Sequence, residues 1–279
     1  MKALSGTSWG QDKQTLISTY KCLTRPVLEF GAPIWRPNIS ETSLRKLQVV
    51  QNSGLRMATG CHMKASIQHL HTETKVLPIK DHLDLKCSQY LAGALRRTDI
   101  NRETVLLPPG KRKMKHTLYS KYIPIVEPHL QDGIIPEIGY KRVLNSLHTA
   151  AVAASISKCG PNAVLGRRPP PIADEEKYLP RIIGSTFSQL RSDYCVRLKS
   201  YLSSIGRADD DICPECGTAP HTPAHLFVCP SHPTDLEYVD LWSHPCAVAD
   251  FLSGVPAFSD FPPVVLPPIP VPPEPPPPP

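Results

Sequence analysis

Residues 41–60, Glu41-Thr42-Ser43-Leu44-Arg45-Lys46-Leu47-Gln48-Val49-Val50-Gln51-Asn52-Ser53-Gly54-Leu55-Arg56-Met57-Ala58-Thr59-Gly60, decide the fold class. Leu44, Leu47, Val50 and Met57 recur at helical spacing, and Leu55 and Ala58 widen that face. Arg45, Lys46 and Arg56 fall largely on the other side, and Gly60 ends the helix because glycine accepts the left-handed conformation there. Outward from this segment the same period returns. Leu16, Tyr20 and Leu23 predict a helix from Gln11 to about Arg25, interrupted at Pro26. Phe30 to Trp35 reads as a tight, packed turn. A helix starting near Pro78 carries Ile79, Leu83, Cys87, Leu91 and Ala94 as a buried stripe. Residues 98–136 read as irregular, with a basic run at Lys111-Arg112-Lys113-Met114-Lys115. Tyr140 to Cys159 is helical along Leu144, Leu147, Ala151 and Ala154, and one long helix is expected from Leu179 to Ile205. Strand-like alternation is scarce, so the class is mainly α.

That pattern divides the chain into a helical module (1–100), a basic loop, helix and linker (101–178), and a long helix with a small metal-stabilised module (179–254). The segment 255–279 is expected to be a disordered proline-rich tail, because polyproline has neither donors nor apolar mass for a core. Such a tail offers a ligand for a proline-reading partner module. No run of 18 apolar residues occurs, nor an apolar leader at the start, so the expectation is an intracellular protein, nuclear or cytoplasmic, with no membrane partner. The 279 residues carry a net charge of +6, unevenly: residues 1–122 hold 20 Lys and Arg against 8 Asp and Glu, and residues 123–279 hold 11 against 17. A basic half is the footprint of a polyanion partner, RNA or DNA. Candidate phosphate contacts are Arg45, Arg56, Lys111, Arg112, Lys113 and Lys115.

Six of the nine cysteines are scattered, which argues against a disulfide framework. The other three stand in Cys213-Pro214-Glu215-Cys216-Gly217 and His225-Leu226-Phe227-Val228-Cys229, a C-x2-C-x8-H-x3-C spacing. Zinc takes four ligands in a tetrahedron, and three thiolates with one imidazole are a structural set. A complete set leaves no position for a reactive water. The expected ligands are Cys213, Cys216, His225 and Cys229, with His221 held in reserve because four residues separate it from Cys216, as in a retroviral-type knuckle. Asp209, Asp210, Asp211 and Glu215 surround the site, so it is not a phosphate grip. His71-Thr72-Glu73 lacks a nearby Pro-Cys-x-x-Cys for a deaminase centre, and Gly110-Lys111 lacks the rest of a phosphate loop.

Several phrases, in order, resemble the C-terminal region of non-LTR, LINE-type retrotransposon reverse transcriptases, especially the jockey-like group. They are Thr7-Ser8-Trp9-Gly10, Tyr20-Lys21, Ala32-Pro33-Ile34-Trp35, Leu47-Gln48-Val49-Val50-Gln51-Asn52, Leu55-Arg56 and Gly60-Cys61-His62. The match continues through His69-Leu70-His71-Thr72-Glu73-Thr74-Lys75, Leu190-Arg191-Ser192, Leu198-Lys199-Ser200-Tyr201-Leu202, Pro220-His221-Thr222 and the His225 segment. The resemblance implies a thumb that grips template–primer duplex, then a linker and a Cys/His domain. It departs at Asp193, where the family usually has glycine, and at Pro26, where the family tends to continue a helix. It also implies that the palm, whose paired aspartates hold two magnesium ions, lies outside these residues. Asp209-Asp210-Asp211 lacks the aromatic and strand context of that motif, so no catalysis is expected from this chain alone. The alternative is a co-opted, zinc-dependent scaffold that uses its proline tail as an adaptor.

Overall fold

The computed structural model describes residues 2–6, 9–97, 100–106 and 116–264. The fold is mainly helical, and among the described residues only three isolated β-bridges occur. The helices are α1 (Lys13–Thr19), α2 (Arg25–Glu29), α3 (Ala32–Trp35), α4 (Glu41–Thr59), α5 (Ile67–Thr74), α6 (Ile79–Leu95) and α7 (Ile100–Leu106). After these come α8 (Leu118–Val126), α9 (Tyr140–Ser157), α10 (Arg181–Arg191), α11 (Lys199–Ser204), α12 (Asp240–Ser243) and α13 (Pro245–Ser253). Among the described residues no helix is long and apolar enough to cross a membrane.

α4 spans the expected residues. Ser40 opens it by accepting from the Ser43 N–H, and Gly60 closes it with φ +73°. Its buried side is rotated from the expected stripe: Leu44, Gln51, Leu55 and Ala58 face inward, while Val50 is exposed. Gln51 is accommodated because its amide donates to the Leu77 carbonyl at 3.0 Å. Leu55 and Ala58 join Leu16, Ile17, Tyr20 and Leu70 in one apolar cluster. Gly60 is required twice, by its φ and by space: a Cβ there would stand 2.6 Å from Ser185 Cβ. Gly60→Ala is therefore expected to cost about 2–3 kcal/mol, read as a lower urea midpoint at unchanged slope.

Pro26 does not interrupt the first helix as expected. The turn Tyr20–Thr24 is wound with wider hydrogen bonds, and the Arg25 N–H reaches back to the Tyr20 carbonyl. Widening one turn makes room for the proline ring, which would otherwise strike the carbonyl four residues back. The Phe30–Trp35 turn is tight, with Trp35 Nε1 donating to the Phe30 carbonyl at 2.8 Å, but only part of it packs. Leu23, Val27, Phe30 and Ile34 are exposed.

The stretch expected to be irregular holds α7 and α8. Thr117 and Ser120 make a reciprocal capping box at the start of α8, which tolerates Pro124 inside it because Tyr122 and Val126 are buried. Tyr122 donates to Asp84 Oδ1 at 2.6 Å, and the buried Arg36 donates to Asp84 Oδ2 at 2.8 Å. α6, α8 and α9 share one cluster through Cys87, Leu91, Leu95, Tyr122, Val126 and Leu147. The expected boundary at residue 100 thus cuts through a core, since α6 packs against α3 and α4 before it and against α8 and α9 after it. In α9 only Leu147 of the expected line is fully buried, and Ala154 is exposed.

The long helix expected over 179–205 is two. α10 stops at Arg191, where the Asp193 N–H bonds to the Leu190 carbonyl and the Tyr194 N–H to the Gln189 carbonyl, both at 3.1 Å. These two bonds close a Schellman cap with Asp193 in the left-handed conformation, φ +66°. The residue is aspartate rather than glycine, so the break carries no glycine signal. The last core gathers Ile183, Phe187, Leu190, Phe227, Trp242 and Leu252. It also takes in Val255, Phe258 and Phe261, with Val264 packed against it. The C-terminal module therefore runs past the expected boundary at 254, because three apolar residues among the first prolines give that stretch a face to bury. The tail from residue 265 lies outside the described residues.

Candidate metal centre

The Cys213 segment is a tight knuckle. The Cys213 N–H donates to the Ala219 carbonyl at 2.8 Å and the Gly217 N–H to the Cys213 carbonyl at 2.9 Å, with Gly217 at φ +66°. This loop brings the two sulfurs of C-x2-C to one side. The other two donors come from a single turn, His225–Phe227, and the residue that follows it closely, Cys229. Thr222 Oγ1 accepts from the His225 N–H at 3.2 Å and fixes the start of that turn. The turn serves two ends at once, since Leu226 and Phe227 point into the C-terminal core while His225 faces the cysteines.

The ligand atoms of Cys213, Cys216, His225 and Cys229 all lie within 4.8 Å of one another. Cys213 Sγ is 4.0 Å from Cys229 Sγ, and Cys216 Sγ is 3.3 Å from His225 Nε2. A tetrahedron built on zinc–sulfur bonds of about 2.3 Å has edges of about 3.8 Å, so this spacing fits a single ion. The donor set itself, three soft thiolates and an imidazole, suits zinc and excludes hard cations such as magnesium. Thr218, through its hydroxyl and backbone, pulls the Cys216 thiol down to about 6, whereas burial pushes the Cys213 thiol up. The cluster can hold a metal such as zinc.

His221 has a different task. It is 2% exposed, and its Nδ1 accepts from the Lys199 N–H at 3.3 Å, at the start of α11. It caps that helix and stands outside the four-donor group. Asp210 pairs with Lys199 at 2.9 Å in an exposed loop.

The candidate phosphate contacts divide. Arg45 is exposed on the outer side of α4. Arg56 is half-buried and donates to the carbonyls of Met63 and Ala65, both at 3.3 Å, so it braces the turn after α4 and is not a free cation. Lys111, Arg112, Lys113 and Lys115 lie outside the described residues.

A charge cluster that sequence reading missed is buried between the helices. Arg191, 0% exposed, donates to Glu73 Oε1 at 2.9 Å and to Glu176 Oε2 at 2.5 Å. Lys13 bonds to the same two carboxylates, at 2.8 Å to Glu73. Ser188 donates to Glu73 at 2.7 Å, and Arg191 Nε donates to the Leu241 carbonyl at 3.1 Å. Two cations and two carboxylates thus balance. Burial alone would raise the Glu73 carboxyl, but Lys13 and Arg191 outweigh it and hold it well below its ordinary value. In a linear reading, Lys13, Glu73, Glu176 and Arg191 are single charges far apart, and no spacing links them. The cluster ties α1, α5, α10 and α12 together, so the helical half and the metal-bearing half share it.

No protein-family model, no curated protein and no solved structure matches this chain.

Proposed function

We propose that this chain is the thumb-to-zinc C-terminal region of a LINE-type, jockey-like reverse transcriptase. In this reading it binds RNA or DNA without catalysing polymerisation. Its Cys/His cluster holds one structural zinc, and any magnesium belongs to the parent enzyme's palm. The protein works inside the cell, in nucleus or cytoplasm.

One observation carries the reading: the phrases behind the resemblance, scattered over the sequence, touch one another. The Gly60-Cys61-His62 phrase meets Leu198-Lys199-Ser200-Tyr201-Leu202 through Tyr201 Oη and His62 Nε2 at 2.7 Å. It also meets α10, where Gln189 Nε2 donates to the Gly60 carbonyl at 2.8 Å. His69-to-Lys75 meets Leu190-Arg191-Ser192 through the Glu73–Arg191 pair. Pro220-His221-Thr222 meets the Lys199 phrase through the His221 cap. Residues kept in a common pattern because they pack together are what a shared fold requires. Asp193 supports it further, since its left-handed backbone is the conformation for which the family's glycine is suited.

The test is binding of labelled RNA and DNA by the purified chain. We expect binding at about 50 mM salt that falls steeply by about 200 mM, as counterion release dictates. Absence of binding to either nucleic acid at the lower salt would remove this function. Primer extension by the chain with template, nucleotides and magnesium would overturn the non-catalytic assignment.

A further inference from the structure

A cavity of about 780 Å³ opens between α5, α6, α9 and the 168–172 segment. That is the size of a site for a compact ligand. Five cations line it: Lys21, Arg25, Lys75, Lys86 and Arg168. None of the five makes an ion pair among the described residues. The one carboxylate on the wall, Glu73, is already consumed by Lys13 and Arg191.

Two details make this more than a basic surface. Arg25 is half-buried, and its Nε is enclosed without a hydrogen-bond partner. Lys21 stands one helical turn away, and burial and Arg25's charge together weaken its hold on a proton. Like charges brought together and partly desolvated are costly unless an anion joins them. The histidines of the wall are mostly engaged: His69 with the Ser188 carbonyl, His71 with the Val76 carbonyl and His82 with Glu29. The lining also carries apolar groups, Val152 and Ile156 of α9 and Pro169, Pro170 and Pro171 beside Arg168. The cations suit phosphates, and the apolar groups suit the faces of bases or sugars.

We propose that this cleft holds a single-stranded stretch of RNA or DNA, with phosphates on Lys21, Arg25, Lys75, Lys86 and Arg168 and bases against the apolar groups of α9 and the prolines. A duplex presents its phosphates on the outside of a rigid rod and cannot enter a cleft of this volume. A single strand can direct its phosphates to the cations and its bases to the apolar groups. The proposal rests on the nucleic-acid reading above and adds the strand type and the site.

Fluorescence anisotropy with a labelled single strand and a blunt duplex of the same sequence tests it. The cleft variant combines Lys21→Gln, Lys75→Asn, Lys86→Gln and Arg168→Gln, all at exposed positions. Asparagine is chosen at 75 because Lys75 has φ +52°, which asparagine tolerates. A control variant removes the same charge elsewhere, at Lys2, Lys141, Arg142 and Arg207, also exposed. Unchanged thermal unfolding establishes that both variants are folded. We expect the wild-type chain to prefer the single strand. The cleft variant should lose about tenfold or more in affinity for it, with the salt slope falling by about two to three, against less than about threefold loss for the control. Single-strand binding that survives in the cleft variant, equal loss in the control, or preference for duplex overturns the cleft while leaving the nucleic-acid reading intact. No binding of any nucleic acid by the wild-type chain removes both.

Discussion

Arg191→Met is expected to destabilise the chain by about 3–5 kcal/mol, because it strands a buried carboxylate. Arg191 is fully enclosed and faces Glu73 and Glu176, and without it Lys13 would be their only ion-pair partner. The Leu241 carbonyl would lose its donor as well, loosening α12 from α10. Methionine is the appropriate replacement because it retains much of the volume between Phe187 and Trp242, whose ring centroids lie 5.9 and 5.4 Å from the guanidinium. Against a typical total of about 5–15 kcal/mol, that loss is about a fifth of the stability or more. Urea unfolding followed by circular dichroism measures it, and a change below about 1 kcal/mol would show that the cluster does not join the two halves.

The same cluster sets a pH dependence. Glu73 has its folded value depressed below the ordinary 4.5, so its contribution is complete above 4.5 and is lost as pH falls through the lower folded value. Lys13 behaves inversely. Burial would lower it, but Glu73 and Glu176 raise it above 10.5, so its contribution is complete below 10.5 and is lost as pH rises beyond the folded value. The cluster therefore supports a plateau between those limits, with an acid limb that Glu73→Gln should flatten while lowering the plateau. An acid limb of unchanged slope in that variant would assign the pH dependence to other groups.

Metal removal is the second large expected effect. Structural zinc sites in small peptides bind with apparent free energies of about 10–16 kcal/mol, and that binding is folding free energy. Here the knuckle is attached to a real core, so removal of a metal held by the cluster should unfold the 212–232 segment and weaken the C-terminal core without dissolving α4 and α6. The route is the His225–Phe227 turn, because the backbone that presents His225 also buries Leu226 and Phe227. Hydrogen exchange after chelation should show new exposure at 212–232 and a smaller rise at α12 and α13, with α4 and α6 still protected. Protection unchanged at 212–232 would mean that the segment folds without metal.

Much of this could be read in the sequence, for identifiable reasons. α4 and α6 were legible because apolar period, caps and terminal glycine or proline agree over four to five turns. The four donors of the Cys/His cluster were legible because C-x2-C and H-x3-C are local spacings, whereas the choice between His221 and His225 needed the fold. α8 was hidden by Pro124, and the break between α10 and α11 by an aspartate doing a glycine's work. The Arg191 cluster and the cation-lined cleft were invisible for a deeper reason. Each is assembled from single charges on elements far apart in the chain, and an isolated Lys, Arg or Glu looks the same whether it meets solvent or another charge.

The most direct measurement is the zinc content of the chain by native mass spectrometry after brief exposure to a chelator. One zinc per chain is expected for the wild type and for His221→Ala, and none for Cys216→Ser or His225→Ala. A wild-type chain that is folded and zinc-free, or zinc that follows His221 instead of His225, would contradict the four-ligand centre on which the C-terminal half is built.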